Sequence, residues 1–312
     1  MTDKISQINN INMRIPKVRG IIRKNFELSR LSWLKVGGPA EIFFQPEDED
    51  DLSFFLKNLE TNIPVFVIGA CSNLIIRDGG IPGVVIKLGK NFSTIKMNKT
   101  VVSVGAACRD SYLAQTCAKE GVDLSFLRTI PGNLGGAVKM NAGCYGSYLS
   151  DYLIGLTLIR RDGSIADMKA SDFKFSYRNS NIPDDAIITN VLLRKELDDP
   201  LRIEMKMTRA LDLRNSSQPT KDLSCGSTFR NPLGRSSLED KYDSDHSLKA
   251  WKLIDDAGLR GAKIGGAMVS KKHTNFLINT GNATAKDIED LGKFVIKKVK
   301  TNSGVNLIWE VK

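Results

Sequence analysis

A glycine-rich stretch in the middle of the chain, "RTIPGNLGGAVKMNAGCYGS" at residues 128–147, constrains the fold more than any other feature. It contains five glycines, yet apolar residues flank it, which is not typical of a flexible linker. Glycine permits positive φ and, because it lacks Cβ, lets backbone N–H groups approach a ligand closely. The stretch therefore indicates an anion-binding surface suited to a pyrophosphate, formed by Gly132, Gly135, Gly136 and Gly143.

A second turn-rich segment, "GACSNLIIRDGG" at 69–80, follows the strand-like "PVFVI" and offers Gly69, Ser72 and Asn73. Neither segment has the spacing of GxGxxG after a strand or of GxxxxGK[ST], which disfavours a Rossmann fingerprint and a nucleoside-triphosphate loop. Either segment alone is more often a structural turn than a binding site. Their occurrence together with "SCGSTFRNP" at 224–232 favours binding.

Length and pattern divide the 312 residues into regions, in line with about 100–200 residues per domain. Residues 31–91 carry short apolar runs and a helix-like pattern at 46–59. Residues 92–205 alternate strand-like segments with a helical pattern at 109–120. Both regions are thus predicted to mix helices and strands.

The third region, residues 206–304, begins and ends with helical patterns. Its last helix is predicted to follow Thr284 as N-cap and to stop at Gly304. The final residues, "VNLIWEVK", are predicted to form a strand. The polar segment at 234–247 is predicted to be an exposed loop.

The chain carries 45 basic and 35 acidic residues, a formal charge of +10, which indicates an anionic partner. Nucleic acid, an acidic membrane surface and a phosphate-bearing small molecule all satisfy that charge. No apolar run approaches the ~18 residues of a membrane span, and the first residues lack a secretory signal pattern, so we expect a cytoplasmic protein. The five cysteines lack metal-ligand spacing, which argues for reduced thiols and against a metal site.

Seven segments occur in the order typical of the UDP-N-acetylenolpyruvoylglucosamine reductases, a family of flavoenzymes, and the chain resembles that family over roughly residues 20–312. The segments are "WLKVGGPAEIFF", "GACSNLIIRDGG", "IPGNLGGAVKMNAGCYG", "SYRNS", "SCGSTFRNP", "LIDDAGLRGAKIGGAMVSKKHTNFLIN" and "LIWEVK". Seven ordered matches are far more specific than any single motif. The sixth segment resembles the shorter subtype, which lacks a tyrosine-bearing loop over the substrate.

The resemblance implies an α+β fold: a two-lobed FAD-binding unit of the vanillyl-alcohol-oxidase (PCMH) type, followed by an α/β substrate-binding domain. The expected boundaries are an extension at 1–19, FAD-binding lobe 1 at 20–91 joined by the C-terminal strand 305–312, lobe 2 at 92–205, and the substrate-binding domain at 206–304.

The resemblance also implies the chemistry. FAD is the expected non-covalent cofactor, NADPH the electron donor, and UDP-N-acetylglucosamine enolpyruvate the substrate, which is reduced to UDP-N-acetylmuramate for peptidoglycan. A monomer without a nucleic-acid or membrane partner is expected.

Three catalytic residues follow from matching motif positions: Ser227 as proton donor, Arg178 beside the substrate carboxylate, and Glu310 as the acidic partner. A planar guanidinium can bind a carboxylate whose charge grows as hydride reaches the double bond. A hydroxyl can then protonate the carbanionic carbon.

The expected FAD contacts lie in the two turn-rich segments, at Gly69, Ala70, Cys71, Ser72, Asn73, Pro131, Gly132, Gly135, Gly136, Asn141, Ala142 and Gly143. The expected substrate contacts are Tyr177, Asn231 and Lys263. His273 is equally consistent with facing the flavin or nicotinamide and with a structural role.

Cys71, Cys144 and Arg230 depart from the residues that are commoner in the family, and the two thiols suggest sensitivity to oxidation. One alternative is an oxidase of the same fold with covalent flavin, which usually needs a histidine in the first phosphate-binding turn; the histidines here are His246 and His273. The other alternative is a basic nucleic-acid-binding protein, and the net charge is the single feature of the sequence that favours it.

Overall fold

The computed structural model describes residues 15–232 and 248–312. The predicted extension at 1–19 therefore lies mostly, and the predicted loop at 234–247 with His246 entirely, outside the described residues. Within the two ranges, no helix is both long enough and apolar enough to cross a bilayer.

The first region is a four-stranded mixed sheet with one helix. Its elements are β1 (Ile21–Glu27), β2 (Pro39–Gln45), α1 (Glu49–Asn58), β3 (Val65–Ile68) and β4 (Ile81–Lys87), in the sheet order β1-β2-β4-β3. Strands β2, β4 and β3 are parallel, so β3 ends beside the end of β4, with Ile68 opposite Lys87. Helix α1 buries Leu52, Phe55 and Leu56, which the i, i+3, i+4 spacing places on one face.

The second region is a five-stranded antiparallel sheet with two helices and short hairpins. Its elements are β5 (Ile95–Met97), β6 (Val101–Gly105), α2 (Asp110–Lys119), α3 (Leu134–Lys139), β7 (Gly143–Cys144), β8 (Ser147–Tyr148), β9 (Leu153–Ile159), β10 (Ile165–Lys169), β11 (Phe175–Ser176), β12 (Asn179–Ser180) and β13 (Ile187–Arg194). The sheet order is β10-β9-β13-β6-β5. One hydrophobic core, which includes Phe44, Phe55, Val104 and Leu113, joins this region to the first.

The third region contains α4 (Pro200–Ser217), β14 (Leu223–Ser224), α5 (Ala250–Asp256), β15 (Lys263–Ile264), β16 (Ala267–Val269), β17 (Leu277–Asn279) and α6 (Ala285–Ser303). Its four short strands pair in the order β14-β17-β16-β15. Its core is separate and includes Leu253, Leu277, Leu291 and Val295.

Helix α6 confirms the predicted caps. The Thr284 hydroxyl accepts the Asp287 N–H at 3.0 Å, and Gly304 adopts φ +75°, which ends the helix in the left-handed region. Helix α4 begins at Pro200, so the expected boundary at 206 falls inside it. Its buried residues Ile203 and Met207 belong to the core of the first two regions.

The C-terminal segment is extended but does not form the predicted continuous strand. It has a single β-bridge, between Phe229 and Trp309. Beyond that bridge the segment pairs with the first region instead. The N–H of Lys312 donates to the carbonyl of Asn73, and the carbonyl of Lys312 accepts from the N–H of Ile75. The segment therefore connects the third region to the first, and no ladder is long enough to count as a strand.

Candidate active site

The two turn-rich segments meet in space. The Ser72 hydroxyl donates to the carbonyl of Pro131 at 2.7 Å, and a Cβ added at Gly69 would lie 3.1 Å from Oδ1 of Asn133. The Asn133 amide in turn donates to the carbonyl of Ala107. We call residues 69–73 and 130–136 the turn junction. It is formed where β3 ends and α3 begins.

The two adjacent glycines of the junction have different surroundings. A Cβ at Gly135 would lie 3.0 Å from the Cβ of Ala106, so the absence of a side chain there serves close packing within the protein. A Cβ at Gly136 would meet nothing within 4 Å, so that face of α3 is open. The open glycine leaves room for a ligand against the backbone.

Two other junction residues have positive backbone φ angles, which residues with a side chain rarely adopt. Gly132 has φ +152° and Cys71 has φ +54°. Burial raises the pKa of the Cys71 thiol to about 11. Because the thiolate is the reactive form, this shift opposes the oxidation that the position of Cys71 suggests. Ala70 lies beside it, half-buried.

Asn141, Ala142 and Gly143 form the next turn, and their polar groups are engaged within the protein. The buried Asn141 amide donates to the Ser176 carbonyl at 3.2 Å and accepts from the Ser150 N–H at 3.0 Å. A Cβ at Gly143 would lie 2.3 Å from the carbonyl oxygen of Ser147. This turn therefore shapes the hairpin β7–β8.

Arg178 and Glu310 form a nearly buried ion pair. Nε of Arg178 donates to Oε1 of Glu310 at 2.7 Å, with side chains only 16% and 12% exposed. Nη2 of Arg178 also donates to the Gly143 carbonyl at 3.1 Å. Burial is the largest single influence on the pKa of Arg178 and lowers it, but the charge and hydrogen bond of Glu310, together with the neighbouring Tyr177 and Tyr148, outweigh it and the net shift is upward. The guanidinium is thus held as a cation in an enclosed place.

One donor of the Arg178 guanidinium has no hydrogen-bond acceptor among the described residues. Nη1 of Arg178 is buried and makes no hydrogen bond within the described part of the chain, and the same is true of Nε of Arg230. Nη2 of Arg230 approaches the Arg178 carbonyl at 3.4 Å, which places the two residues side by side. Two buried N–H donors without acceptors are costly unless a ligand accepts from them, and a carboxylate or phosphate is the fitting acceptor.

A backbone hydrogen bond brings the segment that contains Ser227 beside the Arg178–Glu310 ion pair. The following residue, Thr228, accepts from the Glu310 N–H at 2.8 Å, and Phe229 bridges to Trp309. Gly226 before it has φ +83°, which turns the chain sharply ahead of the serine. Ser227 is half-buried, so its hydroxyl can reach a bound ligand.

Asn73 connects the ion pair to the turn junction. Its amide donates to the Glu310 carbonyl at 3.3 Å. The expected cofactor turn and the expected catalytic residues therefore lie next to each other in space. Trp309, the residue before Glu310, packs against α6. A Cβ added at Gly292 in that helix would lie only 2.1 Å from the Trp309 ring.

Of the expected substrate contacts, Tyr177 and Asn231 lie at the site. The Arg178 guanidinium covers the Tyr177 ring at 4.9 Å, and the backbone of Asn231 hydrogen-bonds the Tyr177 hydroxyl, whose pKa burial raises to about 12. The Asn231 side chain accepts from the Ala250 N–H. Lys263 is exposed on the β15–β16 hairpin and, among the described residues, has no hydrogen bond or ion pair to Arg178 or Glu310.

His273 packs within the third region. Its ring lies 4.8 Å from Phe276 and 6.4 Å from Trp251, and burial lowers its pKa to about 4. The imidazole is enclosed, and its Nδ1 atom is buried without a hydrogen-bond partner among the described residues, so both expected roles of His273 stay predictions.

Sequence reasoning missed Asp110 and treated Arg230 only as a departure from the family. Asp110 is completely buried, although an acidic residue in the first turn of a helix is commonly exposed and gave no signal. Arg230 could have been found, because it lies in the same motif as Ser227 and Asn231.

Known proteins and families match nearly the whole chain. The FAD binding domain family matches residues 40–169, and the family described as UDP-N-acetylenolpyruvoylglucosamine reductase, C-terminal domain, matches residues 218–312. The first match, together with the mixed sheets and helices, confirms the expected FAD-binding α+β fold. The open face at Gly136 and the spare donors of Arg178 and Arg230 are consistent with a bound dinucleotide and an anionic substrate.

The UDP-N-acetylenolpyruvoylglucosamine reductase of Paracoccus denitrificans is 51% identical over 297 residues, covering 95% of this chain and 97% of that protein. The reductase of Ruegeria pomeroyi is 50% identical over 294 residues, covering 94% and 95%. The crystal structure of the Thermus caldophilus reductase superposes with a TM-score of 0.78 at 32% identity, covering 95% of this chain and 99% of that one. The chain therefore belongs to the UDP-N-acetylenolpyruvoylglucosamine reductase family.

Proposed function

We propose that this protein reduces UDP-N-acetylglucosamine enolpyruvate to UDP-N-acetylmuramate in peptidoglycan precursor biosynthesis. It is an FAD-dependent oxidoreductase of its family, and NADPH is the proposed electron donor. The observation that carries the proposal is the buried Arg178–Glu310 pair with an unused Nη1 donor, next to a turn junction with an open glycine face. When bound, FAD supplies the hydride.

Arg178 is proposed to bind the carboxylate of the enolpyruvyl group. As hydride reaches the terminal carbon, negative charge builds on the adjacent carbon and its carboxylate. The Nη1 donor of Arg178 has no other acceptor in the described structure, so it is available for that charge. Because the site is enclosed, the interaction strengthens more than it would in water.

Glu310 is proposed to fix the orientation of the guanidinium. Glu310 accepts a hydrogen bond from Nε of Arg178, and the Gly143 carbonyl accepts one from Nη2. These two contacts fix the guanidinium plane and leave Nη1 free to bind a ligand. The positive φ of +54° at Arg178 adds to this constraint, since a non-glycine residue adopts it only when its surroundings enforce it.

Ser227 is proposed to deliver a proton to the carbanionic carbon. The sharp turn at Gly226 and the backbone hydrogen bond from Glu310 to Thr228 hold the serine beside the ion pair. Tyr177, Asn231 and Lys263 are proposed substrate contacts, and Arg230 joins them through its buried Nε.

The proposed division of labour follows the regions. The two FAD-binding lobes at 20–91 and 92–205 hold the cofactor through the turn junction, and the domain at 206–304 presents the substrate. The segment at 305–312 carries Glu310 between them through its hydrogen bonds to both sides. We also propose that the protein is cytoplasmic and monomeric.

The test is anaerobic stopped-flow absorbance of Ser227→Ala. NADPH should bleach the flavin at a near-normal rate, because that step needs no proton donor at the sugar substrate. Recovery of the absorbance on adding the enolpyruvyl substrate should slow by about 10²- to 10⁴-fold, as for loss of a positioned acid. Ser227→Cys should restore part of the rate. Slow bleaching with normal recovery would place the serine in the nicotinamide step and contradict the proposal.

A further inference from the structure

The segment that contains Arg230 lies against the segment that contains Arg178. The backbone of Asn231 hydrogen-bonds the Tyr177 hydroxyl, and Nη2 of Arg230 approaches the Arg178 carbonyl at 3.4 Å. The N–H of Arg230 donates to the carbonyl of Ile308 in the C-terminal segment at 2.9 Å. Arg230 is thus anchored through both its backbone and its side chain, next to the ion pair.

Arg178 alone does not have enough unused nitrogens to bind both oxygens of a carboxylate. A guanidinium offers two parallel N–H bonds along either of two edges, and both edges include Nη2. In Arg178, Nη2 already donates to the Gly143 carbonyl and Nε donates to Glu310. Nη1 is the one nitrogen of this guanidinium without an acceptor among the described residues. A carboxylate that accepts from Nη1 therefore needs a second donor for its other oxygen.

Arg230 has a donor of the required kind. Its Nε is buried and, like Nη1 of Arg178, has no hydrogen-bond acceptor in the described ranges. Arg230 also forms no ion pair within those ranges, whereas Glu310 matches the charge of Arg178. The two arginines and the glutamate leave a single surplus positive charge, which a carboxylate neutralises and a diphosphate would exceed.

We propose that Arg230 is the second anchor of the enolpyruvyl carboxylate, so that Nη1 of Arg178 binds one oxygen and Nε of Arg230 binds the other. The inference rests on the proposed function, since it takes the enolpyruvyl ether as the ligand. Two donors from different segments fix the plane of the carboxylate, and conjugation aligns that plane with the double bond that is reduced. Arg230 thereby determines specificity for a UDP-sugar that carries this carboxylate over one that lacks it, because the unpaired donors disfavour the second ligand.

The test is calorimetric titration of the oxidised holoenzyme with two ligands, without NADPH so that no turnover occurs. One ligand is the enolpyruvyl substrate, and the other is UDP-N-acetylglucosamine, which has the same uridine diphosphate and sugar but no carboxylate. Arg230→Gln should weaken binding of the enolpyruvyl substrate by about 10- to 100-fold, as for the loss of a charge-assisted hydrogen bond, and change binding of UDP-N-acetylglucosamine by less than about 2-fold. Arg230→Lys should fall between parent and Arg230→Gln, because an ammonium keeps the charge but lacks the fork that serves the Arg178 carbonyl and the ligand together.

Arg202→Gln is the matched control, because Arg202 is 77% exposed on α4, and it should bind both ligands as the parent does. Flavin content and melting temperature show whether each variant is folded, and the same comparison in Arg230→Lys decides the question if the glutamine variant does not fold. Equal weakening of both ligands would place Arg230 at the uridine diphosphate or in a structural role, and unchanged binding of both would remove it from the site. Either result overturns the inference and leaves the proposed function intact. The proposed function fails separately, if the parent protein with FAD and NADPH does not reduce the enolpyruvyl substrate.

Discussion

The turn junction and the Arg178–Glu310 pair are neighbours in space but are held by different interactions. The junction is built from backbone groups and short polar side chains, such as the Ser72–Pro131 hydrogen bond. The ion pair joins side chains 132 residues apart in the sequence and lies almost out of contact with water. Damage to the junction should therefore affect cofactor retention, whereas damage to the ion pair should affect turnover while flavin remains bound.

The largest effect is expected from Glu310→Ala. Removing one partner of a buried ion pair leaves an uncompensated charge and typically costs about 3–5 kcal/mol of unfolding free energy. Turnover should fall by about 10²-fold or more, because Arg178 loses its orientation. Urea unfolding and steady-state rates measure both effects. Arg77→Ala is the control, since it breaks an ion pair of the same 2.7 Å length in which Arg77 is 79% exposed. Equal losses in the two variants would contradict the comparison.

Gly136→Val should separate cofactor binding from folding. The added side chain enters open space, so the melting temperature of the flavin-free protein should hardly change, yet the valine occupies the face proposed for the cofactor. The ratio of flavin to protein absorbance after purification should fall close to zero. Gly135→Val is the matched comparison, because its Cβ meets Ala106 and should lower stability by about 1–3 kcal/mol. Full flavin content in Gly136→Val would mean that this face does not bind the cofactor.

Gly292→Ala tests how the ion pair is supported. The new Cβ would overlap the Trp309 ring, which must shift and carry Glu310 with it. We expect a loss of about 1–3 kcal/mol in stability and slower turnover, with flavin still bound. Combining it with Trp309→Phe should restore part of both, because the smaller ring leaves room. Strictly additive effects of the two changes would contradict this contact.

Asp110→Asn should have the smallest effect on the site and alter mainly the pH dependence of stability. The folded state holds the proton of Asp110 above the pH at which the unfolded chain releases it. That contribution to stability is therefore full below the ordinary carboxyl pKa and is lost as pH rises toward the raised folded value. The asparagine variant should lack this decline, so the difference in unfolding free energy between parent and variant should change with pH from 4 upward. A difference independent of pH would show that Asp110 is not a neutral buried acid.

Much of the local structure, and the family, followed from the sequence, whereas the roles of the site residues stay predictions. Thr284 and Gly304 were identified as the ends of α6, and the predicted helical patterns at 46–59 and 109–120 correspond to α1 and α2. Caps, turns and apolar spacing act over a few residues, so a single stretch of sequence contains all the information they need. The ordered motifs identified the family in the same way, because each motif is short and contiguous.

Only the tertiary structure decided which residue of a motif faces open space and which packs against the protein. Gly135 and Gly136 are identical in sequence terms, but one packs on Ala106 and the other is open. Asp110 resembles an ordinary first-turn acid, yet it is buried under Gly132, and burial raises its pKa. The C-terminal segment has the pattern of a strand but divides its hydrogen bonds between two regions. Burial, pKa and pairing depend on which distant segments approach one another, and that is set by packing of the whole chain.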